Sequence, residues 1–266
     1  MSGKKIAIIG GGNLGAAIAQ GLLKSGFSKA ADITITKRNI ATLAGLASEG
    51  VLVETDNAKA ISQADVVVVA LKPYNVKEVL SGLRASFDAK KQMLISVVTG
   101  VMLDDLEKIT LPGMPIFRAM PNTAIAIQES ITCVCGRNVT EEQTAFVTDM
   151  FNQLGETVSI DEKLMDAATV LGACGIAYAL RFIRASIQGG IEIGFDARTA
   201  TRIAAQTVKG AAELLIRENR HPEEEIDKVT TPKGCTIAGL NEMEHQGFSS
   251  SLIKGITVSY NRIAKD

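Results

Sequence analysis

The chain has 266 residues, of which 46% are hydrophobic and 21% are charged, and its 28 basic and 29 acidic residues give a net charge of −1. This length is sufficient for two hydrophobic cores, because domains usually contain roughly 100 to 200 residues. The near-zero net charge excludes a global electrostatic attraction to nucleic acid or to an anionic membrane, so we expect a small-molecule partner.

The first 160 residues alternate short β-branched runs with segments of helical length. The apolar runs are Ile6–Ile9, Ile33–Thr36, Val66–Leu71, Leu94–Val98 and Ile116–Met120. This alternation predicts an α/β domain over residues 1–160, with a parallel sheet and crossover helices. Because residues 66–69 are all valine, their strand is expected to be central and covered by helices on both faces.

A glycine-rich loop follows the first apolar run and precedes a helical segment. Gly10, Gly12 and Gly15 have the spacing G-x-G-x-x-G. In that motif the first glycine permits a tight turn, the second admits the pyrophosphate, and the third lets helix and strand pack closely. The loop therefore predicts a Rossmann-type dinucleotide-binding domain. The predicted cofactor contacts in this loop are Gly10, Gly11, Gly12, Asn13, Leu14 and Gly15.

Two cations stand at the end of the second apolar run, where an NAD enzyme normally carries an acidic residue for the ribose hydroxyls. Lys37 and Arg38 can pair with the 2′-phosphate of NADP, and an arginine can do so with two parallel hydrogen bonds. We therefore predict NADP(H) as the cofactor. NAD(H) remains a less favoured alternative, in which both cations are simply solvated after the strand.

The hydrophobic period changes after Ile160. Apolar residues then recur at spacings of three and four, first from Ile176 to Ile187 and again from Ala204 to Leu215. This pattern predicts an all-helical domain over residues 161–266. Its small residues, such as Gly190 and Gly210, would let helix axes approach closely, which favours a homodimer or a higher homo-oligomer over simple core packing.

The remaining composition concerns location. The longest uncharged stretch, residues 167–180, is shorter than the roughly 18 apolar residues of a membrane span, so we predict buried helices and no membrane contact. The first residues lead directly into a strand and do not resemble an export signal. The four cysteines, Cys133, Cys135, Cys174 and Cys235, have neither zinc-site nor redox-pair spacing. These features predict a cytoplasmic protein and no metal site.

Further segments resemble a known family. They are Ala70–Pro73, Arg118–Thr123, Gln206–Ala212, Thr231–Leu240 and Glu244–Phe248. Together with the glycine loop, these segments resemble pyrroline-5-carboxylate reductase over nearly the whole chain. The resemblance implies NADPH-dependent reduction of 1-pyrroline-5-carboxylate to L-proline, by hydride transfer to a cyclic imine.

The resemblance also implies roles for individual residues. Further cofactor contacts are expected at Asn57, Ala70, Leu71, Lys72, Pro73, Val97, Thr99, Gly100, Pro121 and Asn122. Substrate contacts are expected at Gly172, Ala173, Cys174, Gly175, Gly234, Cys235 and Thr236. Thr236 is the expected catalytic residue, with its hydroxyl on the ring nitrogen. Without the resemblance, Thr236 is better explained as the cap of a helix.

The chain departs from the family pattern at its substrate segments. The family's usual Ser-Gly-Ser-Gly-Pro-Ala-Tyr appears as residues 172–178, with the two serines replaced by Gly172 and Cys174. Lys233 and Cys235 change the last loop. Two alternatives therefore stay open: a reductase of another small imine or carbonyl acid, and a noncatalytic NADPH-sensing protein.

The scarcity of acid–base residues is consistent with an imine substrate. His221 and His245 are the two histidines, and neither lies in a predicted substrate segment. Reduction of a carbonyl normally needs a general acid, whereas a protonated imine already carries an electron-poor carbon. The residues present therefore favour a reaction that depends on positioning.

Overall fold

The computed structural model describes residues 3–263, which divide into two compact units. The first unit contains residues 3–174 with 262 and 263, and the second is Gly175–Asn261. The division falls later than the predicted boundary at residues 160 and 161. The reason is packing, because Met165 lies in a core cluster of the first unit and Glu162 forms an ion pair with Arg118.

An eight-stranded sheet forms the centre of the first unit. The strands are β1 (Ile6–Ile9), β2 (Ile33–Thr36), β3 (Leu52–Glu54), β4 (Val66–Val69), β5 (Met93–Ser96), β6 (Ile116–Met120), β7 (Ser130–Arg137) and β8 (Gly155–Ser159). Their order is β3-β2-β1-β4-β5-β6-β7-β8. The predicted Rossmann-type α/β fold and the central position of β4 are confirmed.

Three strands escape the sequence prediction: β3, β7 and β8, of which β8 is largely exposed. β3 has three residues and is only partly buried, so it lacks a clear apolar run. β7 pairs with β6 in the antiparallel direction, unlike every other neighbouring pair of this sheet. The reversal follows a short 3₁₀ turn over Thr123–Ile127 and a left-handed residue, Gln128, at φ 62°. The sheet is therefore mostly parallel.

Helices cover both faces of this sheet. They are α1 (Asn13–Lys24), α2 (Ala44–Ser48), α3 (Asn57–Ser62), α4 (Pro73–Gly82), α5 (Leu103–Ile109), α6 (Glu141–Asn152) and α7 (Met165–Ala168). On one face Ile8 packs in a cluster with Ile18 of α1, and on the other Ile9 packs with Leu80 of α4. Both faces of β1 and β4 are consequently buried, as expected for parallel strands.

The second unit is helical, as predicted. Its helices are α8 (Gly175–Glu192), α9 (Ala197–Glu218), α10 (Pro222–Lys228), α11 (Cys235–His245) and α12 (Phe248–Ile263). Asp196 caps α9 by accepting hydrogen bonds from the N–H groups of Arg198 and Thr199. Gly190 and Ala200 meet closely, since a Cβ on Gly190 would lie 3.2 Å from the Ala200 Cβ. The predicted close approach of helices thus occurs between α8 and α9.

Apolar side chains of the helical region are largely exposed in this single chain. The predicted burial of residues 167–180 holds for Thr169 and Val170 and is wrong further along, since Leu171 is 71% exposed and Leu180 is 59% exposed. The helical stretch Glu162–Glu192 has the length and apolar composition of a membrane-crossing helix, and little of it is buried. Two alanines, Ala200 and Ala204, are the buried apolar side chains of Gly175–Asn261. Within residues 3–263, these helices therefore carry an apolar surface that is largely exposed.

Candidate active site

The glycine loop joins β1 to α1, and each glycine occupies a different environment. Gly10 has φ +112°, and a Cβ there would lie 2.5 Å from the Ala70 carbonyl oxygen. A Cβ on Gly15 would lie 2.1 Å from the Gly10 carbonyl oxygen. At Gly12, by contrast, a Cβ would meet no non-neighbouring atom of the described chain within 4 Å. Turn and packing thus require glycine at 10 and 15, whereas Gly12 leaves space for an approaching ligand.

The N-terminus of α1 is open toward that space. Gly12 is the N-cap, it makes no side-chain capping bond, and the first turn carries no acidic residue. The first N–H groups of a helix lack intrahelical acceptors and lie at the positive end of its dipole. The loop and the start of α1 therefore fit the diphosphate of a dinucleotide.

Lys37 and Arg38 lie beside the glycine loop. The Gly11 N–H donates to the Thr36 carbonyl at 2.7 Å, which holds the loop against the end of β2. Within residues 3–263, neither the Lys37 nor the Arg38 side chain takes part in an ion pair. Nearby, Lys59 hydrogen-bonds and pairs with Glu54, which raises the pKa of Lys59. Two cations without a protein counterion fit an additional phosphate on the cofactor.

The other predicted cofactor segments lie at the carboxyl edge of the sheet. Residues 70–73, 97–100 and 121–122 follow the neighbouring strands β4, β5 and β6. Pro73 is the first residue of α4, with Lys72 before it as N-cap. The predicted helix start at Pro73 is confirmed. Asn57 begins α3 after β3. Ligands of open α/β sheets bind at this edge.

Asn122 joins two of the predicted segments. Its side-chain amide donates to the Gly172 carbonyl at 3.3 Å, and its Oδ1 accepts from the Ala124 N–H at 2.9 Å. Gly172, Ala173 and Cys174 belong to a π-helical stretch, Thr169–Cys174, immediately before α8. Such stretches are frequent at functional sites. The fold thus connects a predicted cofactor residue to a predicted substrate segment.

The predicted substrate residues are divided between the two units. Gly172, Ala173 and Cys174 lie in the first unit, and Gly175, Gly234, Cys235 and Thr236 lie in the second. In the first unit, residues 172–174 lie with Asn122. In the second unit, Gly175 begins α8, and residues 234–236 lie at the start of α11.

Thr236 lies in the first turn of α11, which begins at Cys235. Gly234 is the N-cap of this helix, so the explanation of Thr236 as an ordinary cap is wrong. The side chain is partly buried, and among the described residues its hydroxyl has no hydrogen-bond partner. Lys233, just before the cap, has φ +62°, a conformation that favours glycine. The Thr236 hydroxyl is thus available to a ligand.

All four cysteines are free thiols in different environments. Burial raises the pKa of Cys135 to about 11 and also raises that of Cys133. Cys174 is partly buried and Cys235 is exposed. Among residues 3–263, no three His, Cys, Asp or Glu side chains form a group able to hold a metal ion. Reactivity is therefore expected at Cys235 before Cys135.

Sequence reasoning missed one buried ion pair. The Arg118 side chain is 2% exposed, and its Nη1 lies 2.9 Å from Glu162 Oε1. The same Glu162 oxygen accepts a hydrogen bond from the Leu103 N–H at 2.7 Å. The sequence did contain a signal for this pair, because Arg118 lies inside the apolar run Ile116–Met120 and a buried arginine requires a counterion.

Known proteins resemble this chain over both units. A family model described as pyrroline-5-carboxylate reductase dimerisation matches residues 162–266, and one described as NADP oxidoreductase, coenzyme F420-dependent, matches residues 5–100. Pyrroline-5-carboxylate reductase 2 of Dictyostelium discoideum is 40% identical, with 98% of this chain and 93% of the relative covered. This chain belongs to the pyrroline-5-carboxylate reductase family.

Two further members of the pyrroline-5-carboxylate reductase family resemble this chain, one in sequence and one in its solved structure. Pyrroline-5-carboxylate reductase 1 of Dictyostelium discoideum is 46% identical over 97% of this chain. That relative is longer, and this chain spans only 49% of its length. The crystal structure of the Plasmodium falciparum enzyme with NADP bound has a TM-score of 0.88 and 25% identity, covering 99% of this chain and 98% of the other. The likeness therefore includes the whole fold as well as its motifs.

Proposed function

We propose that this chain reduces 1-pyrroline-5-carboxylate to L-proline with NADPH. The observation that carries this proposal is the 40% identity to a relative of that name over 98% of the chain, so that both the glycine loop and the Thr236 segment are included. The substrate is a cyclic imine whose protonated form is an iminium. Its reduction places a hydrogen on the ring carbon and leaves the electron pair of the former double bond on nitrogen.

The first unit supplies the proposed cofactor contacts. Gly10 to Leu14 fit the diphosphate, because Gly12 admits the ligand and α1 begins there with uncapped N–H groups. Lys37 and Arg38 fit the 2′-phosphate, which favours NADPH over NADH. NADPH supplies the hydride when it is bound. The remaining proposed contacts are Asn57, Ala70, Leu71, Lys72, Pro73, Val97, Thr99, Gly100, Pro121 and Asn122.

The proposed substrate contacts depend more on backbone than on charged side chains. Residues 172–175 lie where the π-helical stretch Thr169–Cys174 passes into α8, and such stretches are frequent at functional sites. Gly234 and Cys235 precede Thr236 at the start of α11. We propose that the Thr236 hydroxyl hydrogen-bonds the ring nitrogen and orients the imine. Positioning of this kind can supply several kcal/mol of barrier reduction.

We propose a homodimer or a higher homo-oligomer formed by the helices of Gly175–Asn261. Large apolar side chains are exposed on α8, α9 and α12, including Leu180, Ile203, Leu214 and Ile253. A surface of this kind normally marks an interaction site. The match of residues 162–266 to a reductase dimerisation model supports a second copy of this chain as the partner. The cytoplasmic location remains a prediction from the four free cysteines.

The test is NADPH oxidation by the purified full chain with 1-pyrroline-5-carboxylate. Thr236→Ala removes the hydroxyl, and Thr236→Ser keeps it as the matched control. The expected kcat falls about tenfold or more in the alanine variant, since a hydrogen bond to a charged group contributes about 1.5–3 kcal/mol. The serine variant should keep most of the activity.

The altered residues 172 and 174 favour a second candidate, reduction of another small imine or carbonyl acid. A panel of cyclic imine acids and keto acids separates the two functions. Turnover of a different imine acid with none of 1-pyrroline-5-carboxylate supports the second candidate. Tight NADPH binding without turnover of any panel member would instead indicate a noncatalytic sensor.

A further inference from the structure

We propose that Glu162 is a positioning residue that holds the cofactor turn and the substrate segment in one arrangement. Its role rests on the proposed function, because these segments are the proposed sites of cofactor and substrate. The carboxylate links three parts of the first unit that are distant in sequence: the strand that carries Arg118, the start of α5, and the segment leading to residue 172.

The first link is to the cofactor turn. Glu162 Oε1 accepts the N–H of Leu103, the first residue of α5, at 2.7 Å. Residues 97–100 precede this helix by a few residues, and Thr99 Oγ1 lies 3.9 Å from the Met120 sulfur. The N-cap of α5, Met102, provides no side-chain cap. Glu162 therefore supplies the acceptor that a local cap would normally provide, and it fixes where this turn ends.

The second link is to the strand that precedes Pro121 and Asn122. Arg118 Nη1 donates to the same Glu162 oxygen at 2.9 Å and lies 3.1 Å from the Met102 sulfur. The Arg118 side chain is buried, and its Nε and Nη2 have no partner among the described residues. Glu162 is therefore the counterion on which this buried charge depends.

The third link follows the chain from Glu162 itself. α7 begins at Met165, whose carbonyl accepts the Thr169 hydroxyl at 2.8 Å, and the π-helical stretch continues to Cys174. Asn122 then contacts the Gly172 carbonyl. A shift at Glu162 would consequently move the cofactor turn and the substrate segment together. An arrangement of this kind matters for hydride transfer, since small misplacements cost large factors in rate.

The experiment compares Glu162→Gln, Glu162→Asp and Glu162→Ala with wild type at a temperature where each variant is folded. Glutamine keeps an acceptor for both donors, whereas aspartate keeps the charge but is too short to reach both. Asp104→Ala is the control. It removes an exposed ion pair with Arg137 from α5, the helix whose first N–H binds Glu162. The control is expected to keep wild-type kcat and KM.

Two readouts distinguish positioning from mere stability. In Glu162→Asp we expect kcat to fall about tenfold, the KM for the imine to change, and the isotope effect with deuterated NADPH to rise. Glu162→Gln keeps the acceptor and should retain more kcat than Glu162→Asp, whereas the loss of the Arg118 counterion should lower its thermal stability. If kcat falls only in proportion to the folded fraction, with unchanged KM and isotope effect, Glu162 is structural and the proposal is overturned.

The second readout needs no turnover. Amide hydrogen exchange of the cofactor-free protein should speed up at residues 97–103 and 172–175 in Glu162→Asp and Glu162→Ala, and not in Asp104→Ala. Unchanged exchange in both segments overturns the link between them. If the wild type fails to reduce 1-pyrroline-5-carboxylate while the Glu162 variants show the exchange changes, the proposed function is refuted and the link remains.

Discussion

The side-chain amide of Asn122 donates a hydrogen bond to the carbonyl of Gly172 at 3.3 Å, across 50 positions of sequence. Asn122 follows β6 at the edge where the cofactor segments lie, and Gly172 opens the proposed substrate segment. A substitution at residue 172 therefore lies beside Asn122, at the edge of the sheet. Gly172, where the family usually has serine, is the position at which this departure from the family pattern can be tested.

Restoring the family's serine at position 172 should be tolerated and should improve substrate binding. A Cβ on Gly172 would lie 3.5 Å from Ile131 Cγ2, an ordinary contact. If the hydroxyl binds substrate, Gly172→Ser should lower the KM about threefold to tenfold, since such a bond contributes about 0.5–1.5 kcal/mol. Gly172→Ala, which adds the Cβ without the hydroxyl, is the control. Equal KM values for the two variants would argue against a hydroxyl contact.

Gly12→Ala and Gly15→Ala should separate cofactor binding from folding. At Gly12 the new methyl group meets no protein neighbour, so thermal stability should stay close to wild type while the Kd for NADPH rises about tenfold or more. At Gly15 it collides with the Gly10 carbonyl, which should reduce the free energy of unfolding by about 1–3 kcal/mol. Calorimetry and NADPH fluorescence titration measure the two effects. An unchanged Kd in Gly12→Ala contradicts the proposed diphosphate site.

Arg38→Ala should weaken NADPH binding without weakening NADH binding. The guanidinium has no protein counterion in the described chain, and its proposed partner is the 2′-phosphate that NADH lacks. The Kd for NADPH should rise about tenfold, and the difference from wild type should shrink at high salt. An equal loss for both cofactors would mean that Arg38 supports the loop and not the phosphate.

Cysteine labelling should follow burial. Cys135 has a pKa of about 11, so only about 0.1% of it is thiolate at pH 8. Exposed Cys235 should react with a thiol reagent in the native protein, and Cys135 only after unfolding. Mass spectrometry of peptides after timed alkylation reads both sites, with Cys235→Ser as the control for assignment. Early modification of Cys135 would contradict its buried environment.

Ile203→Asp should disrupt self-association. Ile203 is 48% exposed on α9, and a carboxylate in an apolar interface costs several kcal/mol unless it is paired. Sedimentation velocity should show a homodimer or larger assembly for wild type and a smaller or unfolded species for the variant. Lys90→Asp, at an exposed site of the first unit, is the control and should assemble as wild type does. A monomeric wild type at micromolar concentration refutes the proposed assembly.

The sequence by itself determined the features that depend on neighbouring residues. The all-valine run at 66–69 predicted a central strand because both of its faces must be apolar, and β4 lies in the middle of the sheet. Gly10 and Gly15 predicted the turn and the close packing, since glycine is favoured at a positive φ and lacks the Cβ that would collide with a neighbouring carbonyl. Pro73 marked the start of α4 for a similarly local reason.

Only the tertiary structure decided the features that depend on distant partners. The buried charge of Arg118 is explained by Glu162, which lies 44 positions away, and no local pattern connects the two. The division of the chain after Cys174 follows from the packing of Met165 in the first core. The apolar periodicity of α8 predicted a helix but not the exposure of its apolar face. The spacing of apolar residues shows which side of a helix is apolar, but not which part of the protein covers that side.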